Sequence, residues 1–126
     1  MLQSDREMHA TYVPFKKLLP QCAAIVHGGG IGTIAQSLAA GLPQLIVPFV
    51  NDQPDNAFRL EKLGVSLSIP RKKWNKSRAV AGLKKLLNSN EIKLNCECYS
   101  KKIDFQQAEQ DLCVSIEQIS ASCPAK

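Results

Sequence analysis

A glycine-rich stretch between an apolar run and an amphipathic run constrains this chain more than any other feature. The stretch reads Val26-His-Gly-Gly-Gly-Ile-Gly-Thr33 and contains four glycines. The apolar run before it is typical of a buried strand, and the run from Ile34 has helical spacing. Glycine lets the backbone turn sharply and lets a ligand approach without a Cβ in the way. Because the free amides and the dipole of a helix N-terminus attract anions, the stretch predicts a phosphate or diphosphate site.

Two better-known glycine motifs do not fit this stretch. No Gly-Lys-Ser/Thr sequence closes the loop, so it is not a P-loop. Gly28 and Gly30 fit the first two positions of the dinucleotide-binding fingerprint, but Thr33 stands where the third glycine belongs. A tight strand-to-helix turn without a ligand remains an alternative, because glycine punctuates many such turns.

Strand and helix patterns alternate along the chain. We predict strands over 9–13, 23–27, 44–48 and 65–69. A single helical turn is expected over 15–19, stopped at Pro20. Longer helices are predicted over 31–40, from residue 52 or 53 to Gly64, after Ser77 as a cap, and over 103–120. This order predicts an α/β fold, a Rossmann-like parallel sheet flanked by helices. The 126 residues fit one domain, 1–126.

Composition and cysteine usage narrow the class of protein. With 44% hydrophobic and 21% charged residues the chain has the composition of a globular domain. No apolar run approaches the ~20 residues that cross a bilayer, and the N-terminus has no secretory pattern, so we expect a cytoplasmic protein. The five cysteines are scattered without paired spacing. We therefore expect reduced thiols, no bound metal and no disulfide.

The net charge of +5 is unevenly distributed. Residues 71–85 contain seven basic side chains and no acidic one, with Trp74 among them. Such a block can bind nucleic acid or contact an anionic membrane surface. Because its basic residues alternate with apolar ones at helical spacing, we interpret it as a solvated loop and an amphipathic helix, and expect no nucleic acid partner.

Two polar clusters follow neighbouring predicted strands. The glycine loop follows the strand over 23–27, and Asp52 and Gln53 follow the strand over 44–48. Ligands of such sheets bind at the carboxyl ends of the strands, so the two clusters should meet there. The Thr33 hydroxyl suits a phosphate, whereas the Asp52 carboxylate suits sugar hydroxyls or, alternatively, caps a helix.

Two further side chains are candidates for the nucleoside. Gln36 lies one helical turn beyond Thr33 and can reach a ribose hydroxyl, or face solvent. Tyr12 can stack on a flat base, or serve as a core aromatic.

Four segments occur in an order that a known family shares. They are Tyr12-Val-Pro-Phe15, Leu18-Leu-Pro20, His27-Gly-Gly-Gly-Ile-Gly-Thr33 and Ala40-Gly-Leu-Pro-Gln-Leu-Ile-Val-Pro-Phe-Val-Asn-Asp-Gln-Pro-Asp-Asn-Ala57. This order resembles the donor-binding half of GT-B glycosyltransferases, and within them the UDP-glycosyltransferase superfamily with its bacterial macrolide- and sterol-type members. The resemblance covers residues 12–70, about half of the chain.

The resemblance implies roles for individual residues. Tyr12 takes the place of the aromatic residue that stacks on the nucleobase, and Gln36 the place of a ribose-binding Glu. The positions of the diphosphate loop are Gly28, Gly29, Gly30, Gly32 and Thr33. Asp52 and Gln53 match the pair that binds the sugar hydroxyls.

One departure from the family concerns the residue before the Gly-Gly pair. The family usually has His-His-Gly-Gly, and its second His contacts the donor diphosphate. Here His27 occupies the first of these positions and Gly28 the second. We keep His27 as a candidate diphosphate contact; without the second imidazole, the site either binds its donor weakly or uses backbone amides in its place.

The resemblance implies a transferase that acts on a UDP-sugar, its substrate, and needs no cofactor. We expect an inverting hexosyltransferase whose acceptor site and general base belong to another domain or a partner subunit, so that no catalytic residue is assigned here. The helix over 103–120 is where relatives return toward that domain. The alternative is a non-catalytic nucleotide-binding or scaffolding module that keeps the fold.

Overall fold

Three short parallel strands form one sheet in the computed structural model, which describes residues 6–123. They are Ile25–His27 (β1), Gln44–Ile46 (β2) and Ser66–Ser68 (β3), in the order β1-β2-β3. The predicted parallel sheet is confirmed, although each strand is shorter than the run that predicted it. For β2 and β3 the apolar run extends beyond the strand because Val47 and Ile69 are buried in the loops that follow.

The described part of the chain contains six helices. They are Phe15–Leu18 (α1), Ile31–Ala39 (α2), Gln53–Lys62 (α3), Lys76–Asn88 (α4), Asn90–Ser100 (α5) and Phe105–Ser122 (α6), with short 3-10 turns at Leu19–Gln21 and Arg71–Lys73. Gly41 and Gly64 follow α2 and α3 with φ of 69° and 68°, the left-handed conformation that ends a helix. The α/β fold with flanking helices is as predicted.

The later helices differ in part from their predicted limits. α4 begins earlier than expected because Asn75, and not Ser77, is its cap: Asn75 Oδ1 accepts a hydrogen bond from the Arg78 amide at 2.9 Å. α5 was not predicted; Ser89 caps it by accepting from the Ile92 amide at 3.2 Å. α6 begins two residues later than predicted, after the cap Asp104.

Two predictions for the first part of the chain were wrong. Residues 9–13 form no strand: they are mostly exposed and pair with none of the three strands. Pro20 does not stop the helical turn: α1 continues into the 3-10 turn that contains it. Pro20 lies near the start of that turn, where the missing N–H has no internal partner to lose.

The core lies between the sheet and the helices that pack against it, α3 on β3 and α4 on β2 and β3. α4 approaches β2 closely at Gly82, where an added Cβ would lie 3.2 Å from Leu45 Cδ1. α2 contacts α5, and α3 contacts β3. The buried cluster consists of Ile34, Leu45, Ile46, Ala57, Leu60, Val65, Ile69, Leu86, Ile92 and Cys96.

α6 differs from the other helices because every one of its residues is exposed. Its apolar side chains, including Leu112, Ile116 and Ile119, therefore take no part in the core. Within residues 6–123, no helix combines the length and apolar character that crossing a bilayer requires.

Candidate functional site

The two polar clusters meet at the carboxyl ends of β1 and β2, as predicted. The glycine loop leads from β1 into α2, and the loop after β2 leads into α3. Asn56, in the first turns of α3, donates a hydrogen bond from Nδ2 to the carbonyl oxygen of Gly29 at 3.1 Å. The loops converge because parallel strands end at the same edge of their sheet.

The N-terminus of α2 is open to a ligand. Gly30 is its N-cap and provides no side chain, and the first backbone bond runs from the Ile34 amide to the Gly30 carbonyl at 3.0 Å. The amides of Ile31, Gly32 and Thr33 make no hydrogen bond to any residue from 6 to 123. These three donors and the helix dipole give the loop a positive potential.

The glycines of the loop serve different purposes. Gly29 has φ of 93°, and an added Cβ would lie 3.0 Å from Ile46 Cγ2, so the fold itself requires glycine there. At Gly30 and Gly32 an added Cβ would have no neighbour within 4 Å. Internal packing therefore does not explain these two glycines, whereas the close approach of a ligand would.

Gly28 occupies a position that could hold a side chain. A Cβ there would lie 3.7 Å from both Gln53 Oε1 and Phe49 Cδ2, which are ordinary contact distances. A longer side chain at residue 28 would extend beside Gln53.

The His27 ring is engaged inside the protein. Its Nδ1 accepts a hydrogen bond from the Gly29 amide at 3.0 Å, and its Nε2 lies 2.9 Å from Oε1 of the buried Gln44. Burial lowers the pKa of His27 from its ordinary value, and the hydrogen bond to Gln44 opposes that shift. Neither ring nitrogen can reach a ligand unless one of these bonds breaks.

Asp52 occupies the N-cap position of α3 without capping the helix. Its Oδ2 accepts a hydrogen bond from Asn56 Nδ2 at 2.9 Å and none from the helix backbone, so the alternative interpretation of Asp52 as a helix cap is wrong. The other carboxylate oxygen, Oδ1, is not part of this bond, and the residue is exposed. Asp52 can therefore accept hydrogen bonds from a ligand.

Gln53 uses its carbonyl oxygen to hold the loop before α3. Oε1 accepts from the amides of Phe49 at 2.9 Å and Val50 at 3.3 Å. The tight bend of this loop includes Asn51 at φ of 57°. What Gln53 can offer a ligand is thus the Nε2 donor.

Asn56 is a site residue that the sequence analysis missed. Its two Nδ2 protons connect the glycine loop to Asp52. Its spacing of four residues from Asp52, one helical turn, was the available signal.

Gln36 and Tyr12 lie apart from these contacts. Gln36 is exposed on α2 and lines a cavity of about 480 Å³ together with Phe15, Lys16 and Phe105. Tyr12 is 82% exposed before α1 and does not line that cavity. Thr33 is partly buried in the first turn of α2.

A second cavity, of about 520 Å³, lies beside Gly28. It is lined by Val26, Gly28, Phe49, Arg71 and Trp74, among others. The Arg71 guanidinium lies 4.9 Å from the centre of the Phe49 ring. Arg71, which follows β3, therefore brings a cation to this edge of the sheet. The sequence had indicated a solvated loop at this residue.

No group of three or more His, Cys, Asp or Glu side chains suited to a metal ion occurs among residues 6–123. The polar groups gathered at this edge are backbone amides, carboxamides, the Thr33 hydroxyl, the His27 imidazole, the Asp52 carboxylate and the Arg71 guanidinium.

Residues 6–104 match the family model described as erythromycin biosynthesis protein CIII-like, C-terminal domain. The chain is 29% identical over 102 residues to an O-mycaminosyltylonolide 6-deoxyallosyltransferase of Streptomyces fradiae, a match that covers 80% of this chain and 24% of the relative. It is 44% identical over 80 residues to a sterol 3-beta-glucosyltransferase of Saccharomyces cerevisiae (strain YJM789), which covers 64% of this chain and 6% of the relative.

Solved structures of glycosyltransferases share the fold. Spinosyn forosaminyltransferase SpnP has a TM-score of 0.86 and 26% identity, over 97% of this chain and 33% of SpnP. Glycosyltransferase VinC, solved in complex with dTDP, has a TM-score of 0.79 and 31% identity, over 91% of this chain and 30% of VinC. The chain thus spans a third or less of the length of each of these proteins. The family match and the fold together show that it belongs to the GT-B glycosyltransferases, in the family of erythromycin biosynthesis protein CIII-like C-terminal domains.

Proposed function

We propose that this chain binds the diphosphate of a nucleotide sugar at the N-terminus of α2, as the donor-binding part of an inverting glycosyltransferase. The observation that carries the proposal is the group of three unbonded amides, Ile31 to Thr33, beside the open space at Gly30 and Gly32. Asp52 is connected to the same loop through Asn56.

The diphosphate would be held by neutral donors and the helix dipole. The amides of residues 31–33 and the Thr33 hydroxyl donate to its oxygens, and Gly30 and Gly32 allow the close approach. Arg71 adds positive charge at the same edge of the sheet. This arrangement requires no metal ion, so the nucleotide sugar is a substrate and no cofactor takes part.

The sugar would lie toward the start of α3. Asp52 accepts hydrogen bonds from sugar hydroxyls through the oxygen that Asn56 leaves free, and Gln53 donates through Nε2. One acceptor and one donor next to each other suit a hexose, whose hydroxyls both donate and accept.

The nucleoside would lie toward Gln36 and Tyr12, with Gln36 at the ribose and Tyr12 against the base. The family resemblance favours uridine, whereas the similar VinC was solved with dTDP. Because both bases are pyrimidines with a flat apolar face, the two nucleotides need to be compared directly.

The reaction would be a direct displacement at the anomeric carbon. An acceptor hydroxyl attacks this carbon and loses its proton to a base, while the bond to the diphosphate oxygen breaks and the nucleoside diphosphate leaves. The α2 amides stabilise the negative charge that develops on the leaving group. The acceptor site and the base would come from another domain or from a partner subunit.

Calorimetric titration of the chain with UDP, dTDP, UDP-glucose and UDP-N-acetylglucosamine tests the proposal. We expect saturable binding of at least one nucleotide, unchanged when Lys72 and Lys73, exposed on the 3-10 turn, are both replaced by Gln. No binding at millimolar concentrations would remove the donor-site function.

The second candidate is a non-catalytic module that keeps the fold. Gly28, at the position where the family resemblance places the diphosphate-binding His, favours it. A scaffolding module would give no heat with any of the four nucleotides, whereas a donor-binding chain or a non-catalytic nucleotide-binding module would.

A further inference from the structure

We propose that His27 is a positioning residue for donor binding: its neutral imidazole, held by Gln44, fixes the backbone of the glycine loop at Gly29 and does not itself contact the donor. The inference rests on the donor-binding function proposed above. It assigns to His27 a role different from the direct diphosphate contact that the sequence suggested.

The hydrogen bonds determine which ring nitrogen carries the proton. The Gly29 amide can only donate, so Nδ1, 3.0 Å away, must be unprotonated and accept. The proton of the neutral ring is then on Nε2 and is donated to Gln44 Oε1 at 2.9 Å. Since Gln44 is fully buried in β2, its oxygen is a fixed anchor for the ring.

The orientation of the Gln44 carboxamide agrees with this assignment. Its Nε2 is buried and has no hydrogen-bond partner among residues 6–123. A flipped carboxamide would place Nε2 of Gln44, a donor, against the His27 ring. The ring would then need a second unprotonated nitrogen to accept this hydrogen bond. A neutral imidazole has only one, so the oxygen must face the ring.

Gly29 is held at both of its polar atoms. His27 accepts from its amide, and Asn56 donates to its carbonyl oxygen at 3.1 Å. The residue is in the left-handed region with φ of 93°, a conformation that both bonds help to maintain. Because Gly29 lies two residues before Ile31, its orientation sets the direction in which the free amides of α2 point.

Protonation of His27 would break this arrangement. A proton on Nδ1 would face the N–H of Gly29, and the acceptor would be lost. Neither α2 nor β2 contains a titratable side chain, so neither supplies a carboxylate that would favour the charged ring. The charged side chains at this edge of the sheet are Asp52, connected to Gly29 through Asn56, and Arg71, which lines the same cavity as His27. Burial also lowers the pKa of the ring, so the neutral form is present at neutral pH.

The tautomer can be measured on the unliganded chain. Long-range ¹H–¹⁵N spectra of the imidazoles should show His27 protonated on Nε2 and not on Nδ1, and hydrogen exchange should show a protected Gly29 amide. His9, which is exposed, is the internal reference. A His27 ring protonated on Nδ1, or an unprotected Gly29 amide, overturns the inference whether or not any nucleotide binds.

Two variants then test the effect on binding. In His27→Asn the side-chain oxygen can still accept from the amide two residues on, as in an Asx-turn. In His27→Leu no acceptor remains. We expect UDP-glucose affinity to fall by roughly tenfold in His27→Leu, about what one lost hydrogen bond causes, and to recover largely in His27→Asn.

The pH profile of UDP-glucose affinity tests whether binding requires the neutral form of the His27 ring. UDP-glucose is the suitable ligand because both of its phosphates are esterified and do not titrate near pH 6, unlike the terminal phosphate of UDP. Wild-type affinity should decrease as the pH falls and His27 takes up its proton, whereas His27→Asn should lack this decrease. If the wild type binds UDP-glucose and both variants bind it as tightly as the wild type at every pH, His27 does not position the loop. If the wild type does not bind, the donor-binding function fails, and the spectra alone decide the structural role of His27.

Discussion

Asn56 Nδ2 lies 3.1 Å from the carbonyl oxygen of Gly29 and also donates to Asp52 Oδ2 at 2.9 Å. Gly29 and Asn56 are separated by 27 positions in the sequence, and their bond joins the loop after β1 to the helix after β2. One carboxamide thus determines the distance between the proposed diphosphate site and the proposed sugar site.

Replacing this carboxamide should affect both stability and binding. In Asn56→Leu two hydrogen bonds are lost and the Gly29 carbonyl is left without its partner, so we expect the free energy of unfolding to fall by about 1–3 kcal/mol. UDP-glucose should bind more weakly as well. Urea denaturation and calorimetry measure the two effects, with Asn88→Leu, at the exposed end of α4, as the control. Equal stability of the two variants would contradict the bridging role.

Alanine substitutions within the glycine loop should separate folding from binding. Gly30→Ala and Gly32→Ala introduce a Cβ into open space, so stability should change by less than about 1 kcal/mol. UDP affinity should fall by roughly tenfold or more, since the methyl group occupies the space of the ligand. Gly29→Ala should instead destabilise the fold, because of its positive φ and the 3.0 Å approach to Ile46. Undiminished affinity in Gly30→Ala and Gly32→Ala would exclude a ligand at this loop.

Introducing the histidine that the family resemblance places at residue 28 should strengthen binding. The backbone of Gly28 is not in the left-handed region, and a Cβ there meets only ordinary contacts. We expect Gly28→His to bind UDP about tenfold more tightly, as one charge-assisted hydrogen bond would produce. Gly28→Leu controls for the added volume. An unchanged affinity in Gly28→His would show that this alignment of the loop is wrong.

The protonation of His27 predicts a specific pH dependence of stability. Its folded pKa is lowered by burial, so below about pH 6.5, the ordinary value, the unfolded chain takes up a proton that the folded chain resists. Stability should therefore decrease as the pH falls from 6.5 toward the folded pKa. His27→Asn should lack this part of the decrease when urea midpoints are compared between pH 7.5 and 5. Parallel profiles for the two proteins would contradict a buried neutral ring.

Replacing Asp52 should distinguish the sugar from the nucleotide. Asp52→Asn keeps the shape but weakens acceptance from hydroxyls, so UDP-glucose should lose roughly fivefold to tenfold in affinity while UDP is little affected. The exposed Asp55, which pairs with Arg59 at 2.7 Å on the same helix, provides the control Asp55→Asn. An equal loss of affinity for UDP and UDP-glucose would show that Asp52 does not contact the sugar.

The sheet and the meeting of the two polar clusters were predictable because each depends on a local pattern. An apolar run followed by glycines and then by helical spacing specifies a strand, a loop and a helix, and parallel strands place their loops at one edge. α5 was missed because only two of its residues, Ile92 and Cys96, are buried, and Cys96 was considered only for its redox and metal chemistry.

The details that were not predictable depend on partners distant in sequence. The direction of the His27 ring depends on Gln44, seventeen residues away, and the role of Gly29 depends on Ile46 and Asn56. The N-cap of α4 was predicted wrongly for a different reason. Asn75 and Ser77 are both good capping residues, and local sequence does not decide between them.

An NMR titration of the ¹⁵N-labelled chain with UDP-glucose shows whether the free amides at the start of α2 hold a diphosphate. We expect saturable shifts of the Ile31, Gly32 and Thr33 amide signals, larger than those of the amides at the start of α4. Saturation that leaves these three amides unshifted, or no saturation at millimolar ligand, would contradict this expectation.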